Sequence, residues 1–194
     1  ESKAMNLMSN MKEKAEWVWR ETLLLHGRAP ETRLAASLSA VEILTVLYYS
    51  GLMRYDPKVP FSEERDRFIV SKGHGSISLY PILADVGFFA LSELNNIGRS
   101  DSFLGVIPDT MVPGYETING SLGHGLGVAC GVATALKSKG SDRRVIVLCG
   151  DGELNSGAVW EAIMFAAFHR RGNLFVIVDN NKISMLGCQK DILG

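Results

Sequence analysis

Apolar positions near the N-terminus recur at helical spacing. Met8, Met11, Ala15 and Val18 are separated by three or four residues, which places their side chains on one face of an α-helix. This pattern predicts a helix over about residues 5–26.

A second helix is predicted after a loop that contains Pro30. Ser39 and Glu42 have the spacing of a capping box, in which each side chain accepts a hydrogen bond from the other residue's backbone amide. The helix that begins there runs to about Ser50 and is apolar on nearly every side, so we expect it to be buried.

Three short apolar runs predict buried strands. They are Arg67–Ser71, Val145–Cys149 and Leu174–Val178. A helical stretch over about residues 156–170 joins the second run to the third, which makes a βαβ unit and implies a parallel sheet covered on both faces. We therefore expect an α/β fold with a three-layer, doubly wound, mostly parallel sheet.

The segments between these runs are less regular. A helix is expected over about residues 77–86, and residues 90–116 mix Gly, Pro, Asn and Asp in the manner of a long ordered loop. A further helix over residues 120–137 would carry Gly123, Gly127 and Gly131 on one face. Glycine weakens a helix, so we expect a partner helix or a ligand to pack closely there.

Composition excludes several classes of function. The chain has 194 residues, 46% of them hydrophobic, which suits a single domain with a real core. Its 20 basic residues nearly balance its 21 acidic residues, so no basic field is available to bind nucleic acid or an anionic membrane. No apolar run reaches the roughly 18 residues that cross a bilayer, and three unpaired cysteines indicate a reducing compartment, so we expect a cytoplasmic protein.

Polar residues end two of the predicted strands. The second strand ends in Gly150-Asp-Gly152 and the third in Asp179-Asn-Asn181, and ligands of open parallel sheets bind at the carboxyl ends of strands. The glycines and the following helix N-terminus suit a phosphate, but Asp151 would repel one. A hard cation between the carboxylate and the phosphate removes the conflict, and Asp151 with the Asn181 amide oxygen are typical Mg²⁺ ligands.

Each cluster taken alone has a simpler explanation. Asp151 could cap a helix, and Asn180 with Asn181 could form a turn. The two clusters together, with 27 residues between Gly152 and Asn180, favour a bound metal and diphosphate.

The combination resembles the fingerprint of thiamine-diphosphate enzymes. Four further segments are similar to the N-terminal part of transketolases: Ser71–His74, Gly120–Gly125, Trp160–Ala162 and Asn180–Ser184. The resemblance extends from about Leu24 onward. It implies that residues 1–194 form a single thiamine-diphosphate pyrophosphate-binding domain, incomplete at its C-terminus, with the fold of that class.

The resemblance also implies roles for individual residues. The metal, Mg²⁺ or alternatively Ca²⁺ or Mn²⁺, would be bound by Asp151, Asn181 and the backbone carbonyl of Ile183. The other cofactor contacts would come from His74, Gly120, Leu122, Gly150, Gly152 and Glu153. Gly120 and Leu122 would flank the aminopyrimidine ring, and His74 would lie near the diphosphate. His74 and Glu161 are the implied catalytic residues, Glu161 at a subunit interface, and His124 is a possible pocket residue.

The implied reaction is the transfer of a two-carbon ketol unit, for which the cofactor supplies the difficult chemistry. The family needs an activating glutamate from a pyrimidine-binding domain, which no segment here resembles. We therefore expect a partner, a C-terminal transketolase-like subunit that carries this glutamate, in an α2β2 assembly.

Three positions depart from the family pattern. Arg33-Leu-Ala-Ala36 and Ile107 stand where transketolases usually carry histidines, and Ser156 replaces an interface glutamate. Since neither arginine nor isoleucine can do the work of an imidazole, we expect a non-standard ketose donor or acceptor, including an acceptor held on a carrier protein.

Two alternatives remain open. The chain could belong to a 2-oxo-acid dehydrogenase-like or decarboxylating thiamine-diphosphate enzyme, or it could be a non-catalytic scaffold subunit. A dinucleotide-binding Rossmann domain is disfavoured, because no Gly-x-Gly-x-x-Gly opens a helix after a strand.

Overall fold

The computed structural model describes residues 2–184 and 187–193. Its helices are α1 (Ser2–Arg28), α2 (Leu34–Leu38), α3 (Val41–Tyr49), α4 (Leu79–Asp85), α5 (Gly125–Ser138), α6 (Gly157–Phe168) and α7 (Gln189–Leu193). Its strands are β1 (Arg67–Val70), β2 (Val145–Gly150), β3 (Leu174–Asp179), β4 (Ile183–Ser184) and β5 (Gly187–Cys188). Short 3₁₀ turns lie at Gly73–Gly75, Leu91–Asn96 and Gly152–Asn155.

The chain divides into two compact units. The first contains the residues up to Arg65 together with His74–Tyr115, and the second contains Asp66–Gly73 together with the residues from Glu116 onward. The first unit is helical and includes α1 to α4, whereas the second contains the strands.

Helix α1 follows the predicted apolar spacing. Val18 and Leu25 are fully buried, and the hydroxyl of the buried Thr22 donates a hydrogen bond to the Val18 carbonyl oxygen. Met8, on the N-terminal side, is 62% exposed. The amphipathic pattern therefore holds for the C-terminal half of α1, and the helix is longer than predicted.

The predicted capping box at Ser39 is wrong. Ser39 is the residue that ends the short helix α2, and its hydroxyl donates to the Ala36 carbonyl oxygen behind it. Helix α3 begins after Ala40 without a side-chain cap. It is mostly buried, as its apolar composition predicted, although Val46 is 40% exposed.

The second unit is built on a parallel sheet of the order β1-β2-β3. Val145 pairs with both Arg67 and Leu174 in this register, so the three strands run side by side in the same direction. Helix α6 connects β2 to β3, and the predictions of a βαβ unit and of an α/β fold are confirmed.

The core of this unit lies between the sheet and helices α5 and α6. Inward-facing residues of β2 alternate along the strand, as expected for a pleated sheet. The core consists of Ile69, Leu126, Ala129, Cys130, Ala133, Leu136, Val145, Val147, Cys149, Val159 and Ala162. The side chains of β1 and β2 that point to the other face are buried as well, namely Phe68, Val70, Ile146 and Leu148.

Helix α5 begins five residues later than predicted. Residues 120–124 form a loop instead, because Gly123 adopts a φ of +84°, a conformation that is incompatible with a right-handed helix. The expected close packing against the glycine face is not found at Gly127 or Gly131, where an added Cβ would meet no atom within 4 Å.

No helix in the part of the chain that the structure describes is long and apolar enough to cross a membrane. All three cysteines are free, with Cys130 and Cys149 buried and Cys188 exposed.

Candidate cofactor site

The two polar clusters predicted at the strand ends lie next to each other. Gly150 is paired with Asp179 in the sheet, and the backbone amide of Asp151 donates to the Asp179 carbonyl oxygen at 3.2 Å. The Gly-Asp-Gly and Asp-Asn-Asn segments thus leave neighbouring parallel strands at the same edge, where ligands of such sheets bind.

Asp151 is a buried carboxylate held by backbone amides. It is 5% exposed, and its two oxygens accept hydrogen bonds from Gly152 N at 2.9 Å and from Lys182 N at 2.7 Å. Among the residues that the structure describes, it forms no ion pair with a basic side chain. A buried negative charge of this kind is compensated well by a cation.

Asn181 forms a tight turn directly over this carboxylate. Its side-chain oxygen accepts from Ile183 N at 2.9 Å, and Lys182 adopts a left-handed φ of +61°. The bond from Lys182 N to Asp151 brings the turn against the carboxylate. Asn181 and Ile183 are exposed, so their oxygens have room for a further ligand.

These three residues fit a hard cation. One carboxylate, one amide oxygen and one backbone carbonyl are an oxygen-only donor set of the kind that Mg²⁺ uses when phosphate oxygens complete its shell. No cluster of three or more His, Cys, Asp and Glu residues occurs within residues 2–184 and 187–193 that could hold a metal by itself. The simpler roles are also present, since Asp151 caps the 3₁₀ turn and Asn181 closes its own turn.

A buried ion pair stabilises the base of the site. Lys72, which follows β1, contacts Asp179 at the end of β3, and both side chains are almost fully buried. Since β2 lies between these strands, the pair spans the ends of all three. At the other end of the sheet, the Arg144 guanidinium and backbone amide bind Asp66.

The loop over residues 119–125 packs tightly against the residues that follow β1. A Cβ added to Gly73 would lie 1.9 Å from the Asn119 carbonyl oxygen, and one added to Gly125 would lie 2.5 Å from Ser71 Oγ. Only glycine allows this approach. The structure thereby brings the Ser-Lys-Gly and Gly-Ser-Leu-Gly-His-Gly segments together.

Glu153 joins these segments from below. It is 3% exposed, and one of its carboxylate oxygens accepts hydrogen bonds from Ser71 Oγ and from Gly123 N, each at 3.2 Å. Burial raises the pKa of the neighbouring Cys149 thiol, and the Glu153 carboxylate raises it further, so Cys149 is a neutral thiol.

Other predicted site residues are exposed. His74 lies in the 3₁₀ turn after β1, Leu122 is 44% exposed in the loop before α5, and Gly120 is exposed as well. His124 immediately precedes α5 and caps it with no side-chain bond. Glu161 is exposed on α6 beside Trp160, which is 55% exposed.

Lys72, Ser71 and Asp179 are the structural residues of the site that the sequence did not identify. Lys72 and Asp179 have opposite charges and follow buried strands, which was a usable signal. Their pairing could not be deduced without the strand order, because 107 positions separate them.

Comparisons with known proteins agree with this geometry. A family model described as the thiamine diphosphate binding domain of transketolase matches residues 29–193. One of the two subunits of the apulose-4-phosphate transketolase of Actinobacillus succinogenes is 43% identical over 185 residues, which are 94% of this chain and 67% of that protein. The 6-deoxy-6-sulfo-D-fructose transketolase subunit SqwG of a Clostridium species is 34% identical over 192 residues, which are 94% of this chain and 66% of that protein.

A solved structure shows the same fold. The transketolase from Leishmania mexicana superposes with a TM-score of 0.88 at 26% identity, over 95% of this chain and 29% of that one. The chain thus spans about two thirds of the bacterial relatives named above and less than a third of that transketolase.

Proposed function

Because this chain belongs to the transketolase family, we propose that it is the thiamine-diphosphate-binding subunit of a split transketolase that transfers a two-carbon ketol unit. The observation that carries the proposal is the buried Asp151 carboxylate, which lies against the Asn181 turn with no basic side chain described beside it. We propose residues 1–194 as one pyrophosphate-binding domain, with an enzymatic rather than a scaffolding role.

In this proposal the strand-end residues bind the diphosphate end of the cofactor. Asp151, Asn181 and the Ile183 carbonyl would hold Mg²⁺, with Ca²⁺ or Mn²⁺ as substitutes, and Gly150 and Gly152 would let the diphosphate approach the backbone. The additional cofactor contacts are assigned to His74, Gly120, Leu122 and Glu153. When bound, thiamine diphosphate would supply a carbon nucleophile and an electron sink. The protein would orient it and exclude water.

A partner subunit is part of the proposal. The bacterial relatives are named as subunits, and this chain spans about two thirds of the first of them. We therefore propose a second subunit that provides the pyrimidine-binding domain and its activating glutamate, in an α2β2 assembly. The exposure of Glu161 and Trp160 on α6 supports a contact with another chain there.

The substrate is proposed to be a ketose with an anionic end group. Two relatives are named for apulose 4-phosphate and 6-deoxy-6-sulfo-D-fructose, a phosphorylated and a sulfonated sugar. Arg33 and Ile107, which stand where transketolases usually carry histidines, are both exposed. Their exposure supports a donor or acceptor different from the usual sugar phosphates, and an acceptor on a carrier protein is included in the test.

The test uses the full-length protein co-expressed with its partner subunit. We expect calorimetry to show thiamine diphosphate binding that requires a divalent cation and disappears with EDTA. We then expect ketol transfer from a phosphorylated or sulfonated ketose to an aldehyde, free or carrier-bound. Decarboxylation of pyruvate without ketol transfer would instead favour a 2-oxo-acid enzyme, and a lack of cofactor binding would favour a scaffold.

A further inference from the structure

Glu153 lies where three separate segments of the second unit meet. Its carboxylate follows the Asp151 turn, contacts the Ser71 hydroxyl after β1, and accepts a bond from the Gly123 amide in the loop before α5. These partners are 82 and 30 positions away along the chain. One side chain therefore links all three segments.

The burial of this carboxylate needs an explanation. Glu153 is 3% exposed, and its second oxygen, Oε1, has no hydrogen-bond partner among the described residues. Burial of a charge without a cation is unfavourable, and an apolar residue of the same size would pack there at lower cost. What only the carboxylate offers is a strong acceptor for two donors at once.

The Gly123 amide is the donor that matters for the cofactor. Gly120 and Leu122, which would flank the aminopyrimidine ring, lie within three residues of it in the same loop. Gly123 itself has a left-handed φ of +84°, and an added Cβ would lie 2.5 Å from Ser156 Oγ, so the loop has little freedom at this point. The bond to Glu153 connects it to the turn that begins with Asp151.

We propose that Glu153 is a positioning residue, which holds the aminopyrimidine loop at a fixed distance from the metal and diphosphate loop without touching the metal. This inference rests on the proposed function. It separates two parts of cofactor binding, because Glu153 affects the ring end and leaves the diphosphate end intact.

Two probes distinguish the two ends of the cofactor. Magnesium pyrophosphate occupies only the diphosphate end, whereas thiamine diphosphate with Mg²⁺ occupies both. Dissociation constants for both probes are measured by calorimetry on the full-length protein with its partner subunit. The measurement does not depend on turnover.

Glu153→Met removes the acceptor and keeps the size of the side chain. We expect the dissociation constant of thiamine diphosphate to rise by about tenfold or more, the effect of losing a hydrogen bond to a charged group, while that of magnesium pyrophosphate changes by less than about twofold. Glu153→Gln keeps a carbonyl that can accept both bonds, so it should restore most of the lost affinity. Glu93→Met is the matched control, a half-buried glutamate whose carboxylate accepts one bond from Asn96.

Equal weakening of both probes, or no change in either, would overturn the inference. If Glu153→Met does not fold, Ser71→Ala removes one of the two donors instead, and the same criteria apply to it. Hydrogen exchange gives an independent check, since the Gly123 amide should exchange faster in Glu153→Gln or Glu153→Met than in the parent. A parent complex that binds neither probe would contradict the proposed function itself, and so the two failures are distinguishable.

Discussion

Asp151 and Glu153 differ from Arg33 and Ile107 in how their side chains are held. The two carboxylates are at most 5% exposed and accept hydrogen bonds from backbone amides, whereas Arg33 is exposed and Ile107 is 51% exposed. Buried groups bonded to the backbone cannot be exchanged without disturbing the fold, but exposed side chains can. In the proposed function, cofactor binding is thus built into the second unit, while substrate choice depends on replaceable side chains of the first.

Breaking the buried ion pair should have the largest effect. Lys72→Met leaves the Asp179 charge buried without its partner, so the free energy of unfolding should fall by about 3–5 kcal/mol. Lys14→Met is the control, because Lys14 pairs with Asp85 at 2.6 Å but its side chain is 34% exposed, and the loss there should be about 1 kcal/mol or less. Urea denaturation of both variants measures the difference, and equal losses would contradict it.

Removing the proposed metal ligand should have the next largest effect. Asp151→Asn neutralises the carboxylate, and we expect the dissociation constant of thiamine diphosphate with Mg²⁺ to rise about a hundredfold, or roughly 2.7 kcal/mol. Asp56→Asn is the matched control, since Asp56 also accepts a bond from a backbone amide, that of Lys58 at 2.9 Å, in an exposed turn. Calorimetric titration of the two variants decides the matter, and unchanged binding by Asp151→Asn would refute the metal site.

Adding one methyl group tests the packing of the loop. Gly123→Ala forces a side chain into a left-handed conformation and against Ser156, which should lower the free energy of unfolding by about 2 kcal/mol. Gly127→Ala in α5 meets open space, and it should raise the free energy of unfolding by about 0.5–1 kcal/mol. Thermal or urea unfolding gives both values, and the same sign for the two variants would be the contrary result.

Restoring the family's histidines should disturb the protein least. In the double variant Arg33→His with Ile107→His, the free energy of unfolding should change by about 0.5 kcal/mol or less, because both positions are exposed. Thiamine diphosphate affinity should stay within about twofold, whereas the ratio of kcat/KM between ketose donors should shift. A loss of cofactor binding would show that these positions are not confined to substrate choice.

The regular parts of the fold were predictable from local patterns. The apolar runs that became β1, β2 and β3 and the connection through α6 were found because buried parallel strands have a distinct composition. The pattern at Ser39 was misleading, because the short helix α2 precedes it and its hydroxyl is already bonded to Ala36. A capping pattern does not reveal a helix that ends at the same residue.

The site was predictable only in part. The proximity of Asp151 to the Asn181 turn followed from the rule that parallel strands share a carboxyl edge. The contacts of Glu153 with Ser71 and Gly123 did not, because they depend on how segments distant in sequence pack. The late start of α5 has the same origin, since the loop conformation at Gly123 is fixed by its neighbours.

The turn at Lys182 has a consequence for the kinetics of cofactor uptake. Its amide binds Asp151, its carbonyl accepts a bond from Gln189 N at 2.9 Å, and its left-handed backbone is already in place. Such a preorganised turn loses its conformational entropy when the protein folds, so little is left to lose when a ligand arrives. Association should then be limited by diffusion and by dehydration of the ion rather than by rearrangement of the chain.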